Sequence, residues 1–206
     1  MSNKKPLIVF EGIEGSGKTT LINHVSNYLK KKKISFIKIR EPGGNKNSEL
    51  IRNVILNKNN NFNSFTDLML YFAARSENVE KVIYKNYKKK IILLDRFTDS
   101  TIAYQHYGMG LNKLLIENIN KILLKNIKPS IVFINIINMK NLTTRLSLRK
   151  KKNRYDNFKI NFYKKVQKGF LKLSKKNRNY VIVDSNKNII DNKKKVLNNI
   201  LKLINK

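Results

Sequence analysis

The chain has 206 residues, 41% of them hydrophobic, with 44 Lys and Arg against 13 Asp and Glu and a net charge of +31. That is enough apolar material for one compact domain, 1–206, and too much for a disordered chain. The absence of cysteine excludes a disulfide scaffold, a thiolate metal site and thiol catalysis.

The N-terminal MSNKK runs directly into the first apolar run, Leu7–Phe10, which predicts a strand and no signal peptide. Gly12-Ile13-Glu14-Gly15-Ser16-Gly17-Lys18-Thr19 follows and satisfies G-x-x-x-x-G-K-[ST], with a strand before it and an amphipathic segment after it. Glycines let backbone N–H groups close around phosphate oxygens, and a helix starting near Lys18 aims its free N–H groups at the same anion. Lys18 can then reach the β- and γ-phosphates, and the Thr19 hydroxyl can serve Mg²⁺. The loop predicts a nucleoside triphosphate site and leaves the phosphoryl acceptor open.

Leu21, Val25, Tyr28 and Leu29 give the next helix its apolar stripe, and Phe36–Ile39 reads as the second strand. Leu68, Phe72, Val79 and Ile83 form a second stripe. Inside it, Arg75 needs an anionic partner, for which Glu49 and Glu80 are available in sequence, and Tyr71 stands one turn before it on the same face. Tyr71 taken alone reads more readily as core packing than as a flat surface for a base. Ile91–Leu94 is the third strand. Asp95, at its end, can hold Mg²⁺ through water, and Arg96 beside it offers a planar fork for phosphate.

Leu114, Ile119, Ile122 and Leu123 predict a third helix, Ile131–Ile134 the fourth strand, and Phe158–Leu173 a further helix. The basic stretch Arg149–Arg154 lacks apolar periodicity and predicts an exposed lid over about 145–157. Tyr180–Val183 is the fifth strand, followed by a closing helix. Alternation of strand and helix implies an α/β fold, a five-stranded parallel sheet flanked by helices, with ligands outside the strand C-termini.

Four further segments stand in order along nearly the whole chain. They are Arg40-Glu41-Pro42-Gly43-Gly44, Leu70–Arg75, Asp95–Gln105 (DRFTDSTIAYQ), and Arg145…Arg149…Arg154-Tyr155-Asp156. With the phosphate loop, they resemble the bacterial thymidylate kinase family. The resemblance implies a P-loop kinase fold with a basic lid and transfer of the ATP γ-phosphoryl to dTMP. It also implies Mg²⁺ as cofactor and a homodimer. It places Tyr71 on thymine, Arg75 on a base carbonyl, and Arg52 and Arg96 on the acceptor phosphate. Ser100, Thr101 and Gln105 join the dTMP-binding set, and Tyr104 crowds the sugar 2′ position. Glu14 lies near the acceptor, and Glu41 joins Thr19 and Asp95 near the metal. Gly15 in the loop with basic residues in the lid matches the version of the family in which a lid arginine, Arg149, serves the transferring phosphoryl. Arg154 is expected either to hold the lid through Asp156 or to contact phosphate. Pro42 is a candidate for a cis peptide. Three positions depart from the usual pattern: Asn45 stands where Thr is frequent, Tyr71 where Phe is, and Asn153 where Asp is.

Two other readings compete. A nucleoside kinase would use Glu14 as base toward a hydroxyl, but Arg52 and Arg96 favour an acceptor that is already a phosphate. A basic nucleic-acid-binding module would explain +31. The lysines, however, are spread over the chain together with excess Asn and Ile, as coding drift would leave them, so no specific nucleic-acid partner is expected. No apolar run is long enough to span a bilayer, and the expected location is the cytoplasm.

Overall fold

The computed structural model describes residues 5–150, 153–175 and 178–204. Its centre is one sheet of five parallel strands: β1 (Leu7–Gly12), β2 (Phe36–Arg40), β3 (Ile91–Asp95), β4 (Ile131–Ile136) and β5 (Tyr180–Asp184). The spatial order is β2-β3-β1-β4-β5. All five predicted strands are present, each extended by one or two residues at its C-terminal end. That end carries the polar residues Glu11, Arg40, Asp95, Asn135 and Asp184, which an apolar run does not announce.

Alternate residues of the central strands go to opposite faces. Ile8, Phe10, Ile91, Leu93, Ile131 and Phe133 pack on one side with α1 (Lys18–Lys31) and α9 (Ile189–Ile204). Leu7, Val9, Ile92, Leu94, Val132 and Ile134 face the other side. The expectation of strands covered on both faces holds for β1, β3 and β4 and fails for β2 and β5. These are sheet edges, and their residues are mostly half-buried.

The second face carries α2 (Lys46–Leu56), α3 (Ser64–Asn78), α6 (Lys113–Leu124) and α8 (Ile160–Ser174). The stripe Leu68, Phe72, Val79 and Ile83 is buried throughout. Its helix changes pitch on the way. After α3 comes a π-helical turn, Val79–Ile83, and then a single α-turn, α4 (Tyr84–Asn86). The segment after β3 does the same, with α5 (Thr98–Thr101) running into a π-helical stretch, Ile102–Gly108. Tyr104 and Gln105 lie in that stretch, a winding that recurs at functional sites.

The predicted stripe of α6 is corrected. Ile116, Asn120 and Leu124 are its buried residues, while Leu114 and Ile122 are 64% and 72% exposed. Ile119 and Leu123 of the predicted stripe are half-buried against the cluster of Leu68, Phe72 and Ile116, so spacing alone places two of its four residues correctly. Leu68 and Ile102 are buried within the chain with Phe72, Ile116 and Leu173. Among the described residues no helix is long and apolar enough to cross a membrane.

Candidate active site

The phosphate loop turns between β1 and α1. Gly12 has φ +136°, and a Cβ there would lie 2.4 Å from the Asn135 carbonyl oxygen, so β4 leaves no room for a side chain. Ser16 closes the turn by donating to the Ile13 carbonyl at 2.7 Å. Lys18 is buried and donates to the carbonyls of Gly12 and Ile13, both at 2.9 Å. Burial lowers its pKa to about 8. The loop's own carbonyls hold the ammonium, and a neighbouring phosphate would further favour its charged form. The Thr19 hydroxyl points to Asp95 Oδ2 at 3.5 Å.

Beyond Asp95 the chain makes a sharp turn. Arg96 has φ +68°, a left-handed conformation uncommon for a side-chain-bearing residue. Glu11 holds the turn from beneath. Its Oε1 accepts from the N–H groups of Phe97 (2.8 Å) and Ser100 (3.2 Å), and its Oε2 accepts from the Ser100 hydroxyl. Burial and the neighbouring Asp99 push the Glu11 carboxyl up to about 7. Asp99 in turn accepts from the Tyr180 hydroxyl at 2.8 Å. Sequence reading missed Glu11. It is an acid at the end of an otherwise apolar strand, and that anomaly was its signal.

Arg96 is thereby set beside the loop. It donates to the Gly12 carbonyl at 2.9 Å and to Glu14 Oε1 at 2.8 Å. The other Glu14 oxygen accepts from the Tyr104 hydroxyl, and the Arg96 guanidinium lies 5.1 Å from the Tyr104 ring centroid. Ser100 accepts a further bond from Arg96 at 3.3 Å.

Arg75 finds its partner in Glu41, not in Glu49 or Glu80. Its Nε donates to Glu41 Oε2 at 2.7 Å, with both side chains at most 4% exposed. Nη1 donates to Asn120 Oδ1 at 2.8 Å and Nη2 to the Phe97 carbonyl at 2.9 Å. Glu49 pairs instead with Arg40 at 2.8 Å. Burial raises the pKa of Glu41 even beside Arg75. Its Oε1 is buried with no hydrogen-bond partner, and its backbone N–H donates to the Asp95 carbonyl. The Glu41–Pro42 peptide is cis, and Arg52 donates to the Pro42 carbonyl at 2.6 Å.

The lid differs from a plain exposed loop. A 3-10 turn, Arg154–Asn157, follows Asn153, and Tyr155 within it is buried. Asn153 accepts from the Tyr155 N–H at 2.8 Å, and Asp156 accepts from the Asn153 N–H at 2.7 Å. Asp156 also binds Arg149. The expected Arg154–Asp156 contact is thus corrected, since Arg154 pairs with Asp67 of α3. Asn153 caps the turn, and Asn45 likewise caps α2 by accepting from the Ser48 N–H, a role that either residue type at these positions can fill. The Tyr71 hydroxyl finds its partner in Tyr155. Lys151 and Lys152 lie outside the described residues.

The basic side chain against Gly15 is Arg145 of α7 (Met139–Ser147), not Arg149. It donates to the Gly15 carbonyl at 2.8 Å and to the Ser185 carbonyl at 3.0 Å. Sequence reading gave Arg145 no role of its own. It borders a smaller cavity of about 370 Å³ on the α9 side of the loop, lined also by Asn135, Lys187 and Asn192.

Every other residue predicted for the acceptor or the metal meets in one cavity of about 620 Å³. Lys18, Thr19, Asp95 and Arg96 line one part of it, together with Glu14, Glu41 and Arg52. Tyr71, Arg75, Ser100, Thr101, Tyr104, Gln105 and Arg149 also line it. Gln105 is buried, and its Nε2 has no partner.

The comparisons with known proteins agree in one direction. The family model described as thymidylate kinase matches residues 10–196. A thymidylate kinase of Thermosipho africanus is 39% identical over 181 residues, 87% of this chain and 90% of that protein. One of Wolbachia pipientis is 41% identical over 170 residues, 81% of this chain and 84% of that protein. The crystal structure of thymidylate kinase from Ehrlichia chaffeensis superposes with a TM-score of 0.78 at 31% identity, covering 96% of this chain and 98% of that one.

Proposed function

The chain belongs to the thymidylate kinase family, and from that premise we propose how its residues divide the work of phosphorylating dTMP with ATP. The enzyme transfers the γ-phosphoryl of ATP to dTMP, giving ADP and dTDP. An oxygen of the dTMP phosphate attacks the γ-phosphorus, the bond to the ADP oxygen breaks, and no proton needs to move. The acceptor oxygen is already ionised at neutral pH, so catalysis consists of positioning and charge neutralisation.

In this reading Gly12, Ile13, Glu14, Gly15, Ser16, Gly17, Lys18 and Thr19 wrap the triphosphate, and Lys18 leaves its carbonyl partners for the phosphates. The cavity beside Arg145 takes the donor's nucleoside, because it opens on the far side of the loop from the acceptor space. Arg52 and Arg96 hold the acceptor phosphate. Tyr71 and Arg75 meet the base, with Thr101 and the free Nε2 of Gln105 at its edge. Tyr104 sits at the sugar, its hydroxyl fixed by Glu14, and Ser100 braces Arg96. Arg149 faces the transferring group from the lid, which also excludes water.

The donor set fits Mg²⁺. Thr19, Asp95 and the orphaned Glu41 oxygen share one cavity, and no cluster of three or more His, Cys, Asp or Glu stands among the described residues. A few protein oxygens supplemented by phosphates and water is the ligation this ion prefers. When bound, Mg²⁺ neutralises charge on the β- and γ-phosphate oxygens.

The observation that carries this reading is the Arg96–Glu14–Tyr104 network, which joins the phosphate loop to the acceptor pocket in a single cavity. It also weighs against a nucleoside kinase, because both Glu14 oxygens serve to orient Arg96 and Tyr104. A coupled ADP-release assay over a panel of nucleoside monophosphates tests it. dTMP should give the highest kcat/KM, and a ribonucleotide or nucleoside turning over better would overturn the acceptor assignment. We further propose a homodimer, consistent with the exposed apolar residues of α6, a cytoplasmic location, and one domain over 1–206. Light scattering on the purified chain tests the assembly.

A further inference from the structure

Three residues of α3 stand at i, i+4 and i+8, namely Asp67, Tyr71 and Arg75. The last two belong to the acceptor site already described. Asp67 is 3% exposed, and its two carboxylate oxygens go to two consecutive lid residues. Oδ1 accepts from Arg154 Nη2, and Oδ2 accepts from the Tyr155 hydroxyl at 3.2 Å. A single buried acid thus fastens the lid to the helix that meets the base.

The lid turn passes that anchorage on. Asn153 and Asp156 cap each other's ends of the turn, and Asp156 binds Arg149, so the position of Arg149 follows from that of Arg154–Asn157. Tyr155 stands edge-on to Tyr71 and Tyr104, with centroids at 6.1 and 6.0 Å, and its backbone carbonyl accepts from Tyr163 of α8. It therefore walls the acceptor cavity while being tied to Asp67 at its hydroxyl.

We propose that Asp67 is a positioning residue for phosphoryl transfer. It latches the lid turn onto the base-side helix, which closes the acceptor pocket and sets Arg149. The latch makes lid geometry depend on α3, so a base seated between Tyr71 and Arg75 and a lid seated over the phosphates stabilise each other. A lone buried carboxylate on this helix would be costly without such partners, and both partners come from the lid. The setting of Arg149 rests on the reading of Arg149 as the lid cation, whereas the closing of the acceptor pocket by the latch does not.

The test compares Asp67→Ala, Arg154→Ala and the double variant for Tm, kcat, KM for dTMP, and ATP hydrolysis without dTMP. Each single change should lower kcat about tenfold or more, the size expected for loss of a charge-assisted hydrogen bond. KM for dTMP should rise, and the ratio of idle ATP hydrolysis to transfer should rise as water gains access. The double variant should be no worse than Asp67→Ala alone, because both single changes remove the Asp67–Arg154 contact. Asp67→Glu should recover part of the transfer rate. Arg154→Ala reads the same latch should Asp67→Ala fail to fold. A lowered Tm with unchanged kcat, KM and hydrolysis ratio would overturn the latch, as would losses in kcat that multiply in the double variant. Arg149→Ala in the same assay separates the two ideas. A fall for Arg149→Ala alone overturns the latch and spares the lid arginine. A fall for Asp67→Ala and Arg154→Ala alone supports the latch and removes Arg149 from its role.

Discussion

Replacing Arg75 distinguishes two uses of Glu41, as a metal neighbour and as the anchor of a base-reading arginine. Arg75 and Glu41 form an ion pair at 2.7 Å with both side chains almost fully buried, and Arg75 makes two further bonds, to Asn120 and to the Phe97 carbonyl. Arg75→Ala leaves Glu41 as a buried acid without its cation. Breaking such a pair from one side costs about 3–5 kcal/mol. For a chain of this size each kcal/mol moves Tm by roughly 2–4 °C, so Tm should fall by about 6–20 °C. Arg75→Met combined with Glu41→Gln removes both charges while keeping volume, and should recover most of that loss. It should not recover discrimination, and kcat/KM for dTMP should remain depressed relative to other monophosphates. Thermal melts and the monophosphate panel read the two quantities separately. A Tm within about 2 °C of the parent for Arg75→Ala would refute the buried-pair argument, since no uncompensated charge would then be left. If Glu41→Gln alone mainly raised the Mg²⁺ concentration needed for turnover, the metal role would dominate.

Three other outcomes are expected. Lys18→Ala should keep the fold and lower kcat on the order of 10²–10³-fold, the loss typical of one preorganised charge-stabilising donor, checked by steady-state kinetics with a melt as control. Tyr104→Ala should narrow the kcat/KM gap between dTMP and its ribo-analogue on the order of tenfold, and an unchanged ratio would remove Tyr104 from sugar selection. Glu11→Gln should change the pH dependence of stability. Burial and Asp99 raise the Glu11 pKa from 4.5 to about 7, so the fold holds this proton more tightly than the unfolded chain does. Its contribution is full below 4.5 and is lost as pH rises through about 7, so the parent-minus-variant difference in stability should decline over that window in pH-dependent melts.

The strands and the phosphate loop were legible because burial on both faces and close backbone approach each impose residue types. Ile91–Leu94 must be apolar, and Gly12 cannot carry a Cβ against β4. The C-terminal ends of β1 and β4 were not legible, since Glu11 and Asn135 are polar and interrupt the apolar pattern. The stripe of α6 was misread because Leu114 and Ile122 are as apolar as the residues that are buried. The π-helical stretches shift the helical period, so no 3.6-residue template describes Ile102–Gly108. The partners of Arg75 and Arg154 escaped because both are distant in sequence. Glu41 is 34 positions from Arg75 and Asp67 is 87 from Arg154, whereas the candidates considered were nearer neighbours.

The scarcity of acids gives those contacts a common cause. In a chain with 44 basic residues, a cation is surrounded mostly by other cations, and diffuse attraction cannot hold a chosen arginine in place. What can hold it is a buried or half-buried carboxylate at bonding distance, where screening is weak and the planar fork fixes direction. Four of the 13 acids serve in that way. Glu14 orients Arg96, Glu41 orients Arg75, Asp156 orients Arg149 and Asp67 orients Arg154. Apart from the buried Lys18, the lysines are mostly exposed, whereas each of these arginines lies in or beside the cavity and keeps a dedicated acid. Drift in composition and retention of the site are therefore compatible, because the site depends on paired geometry and the surface depends only on being wet.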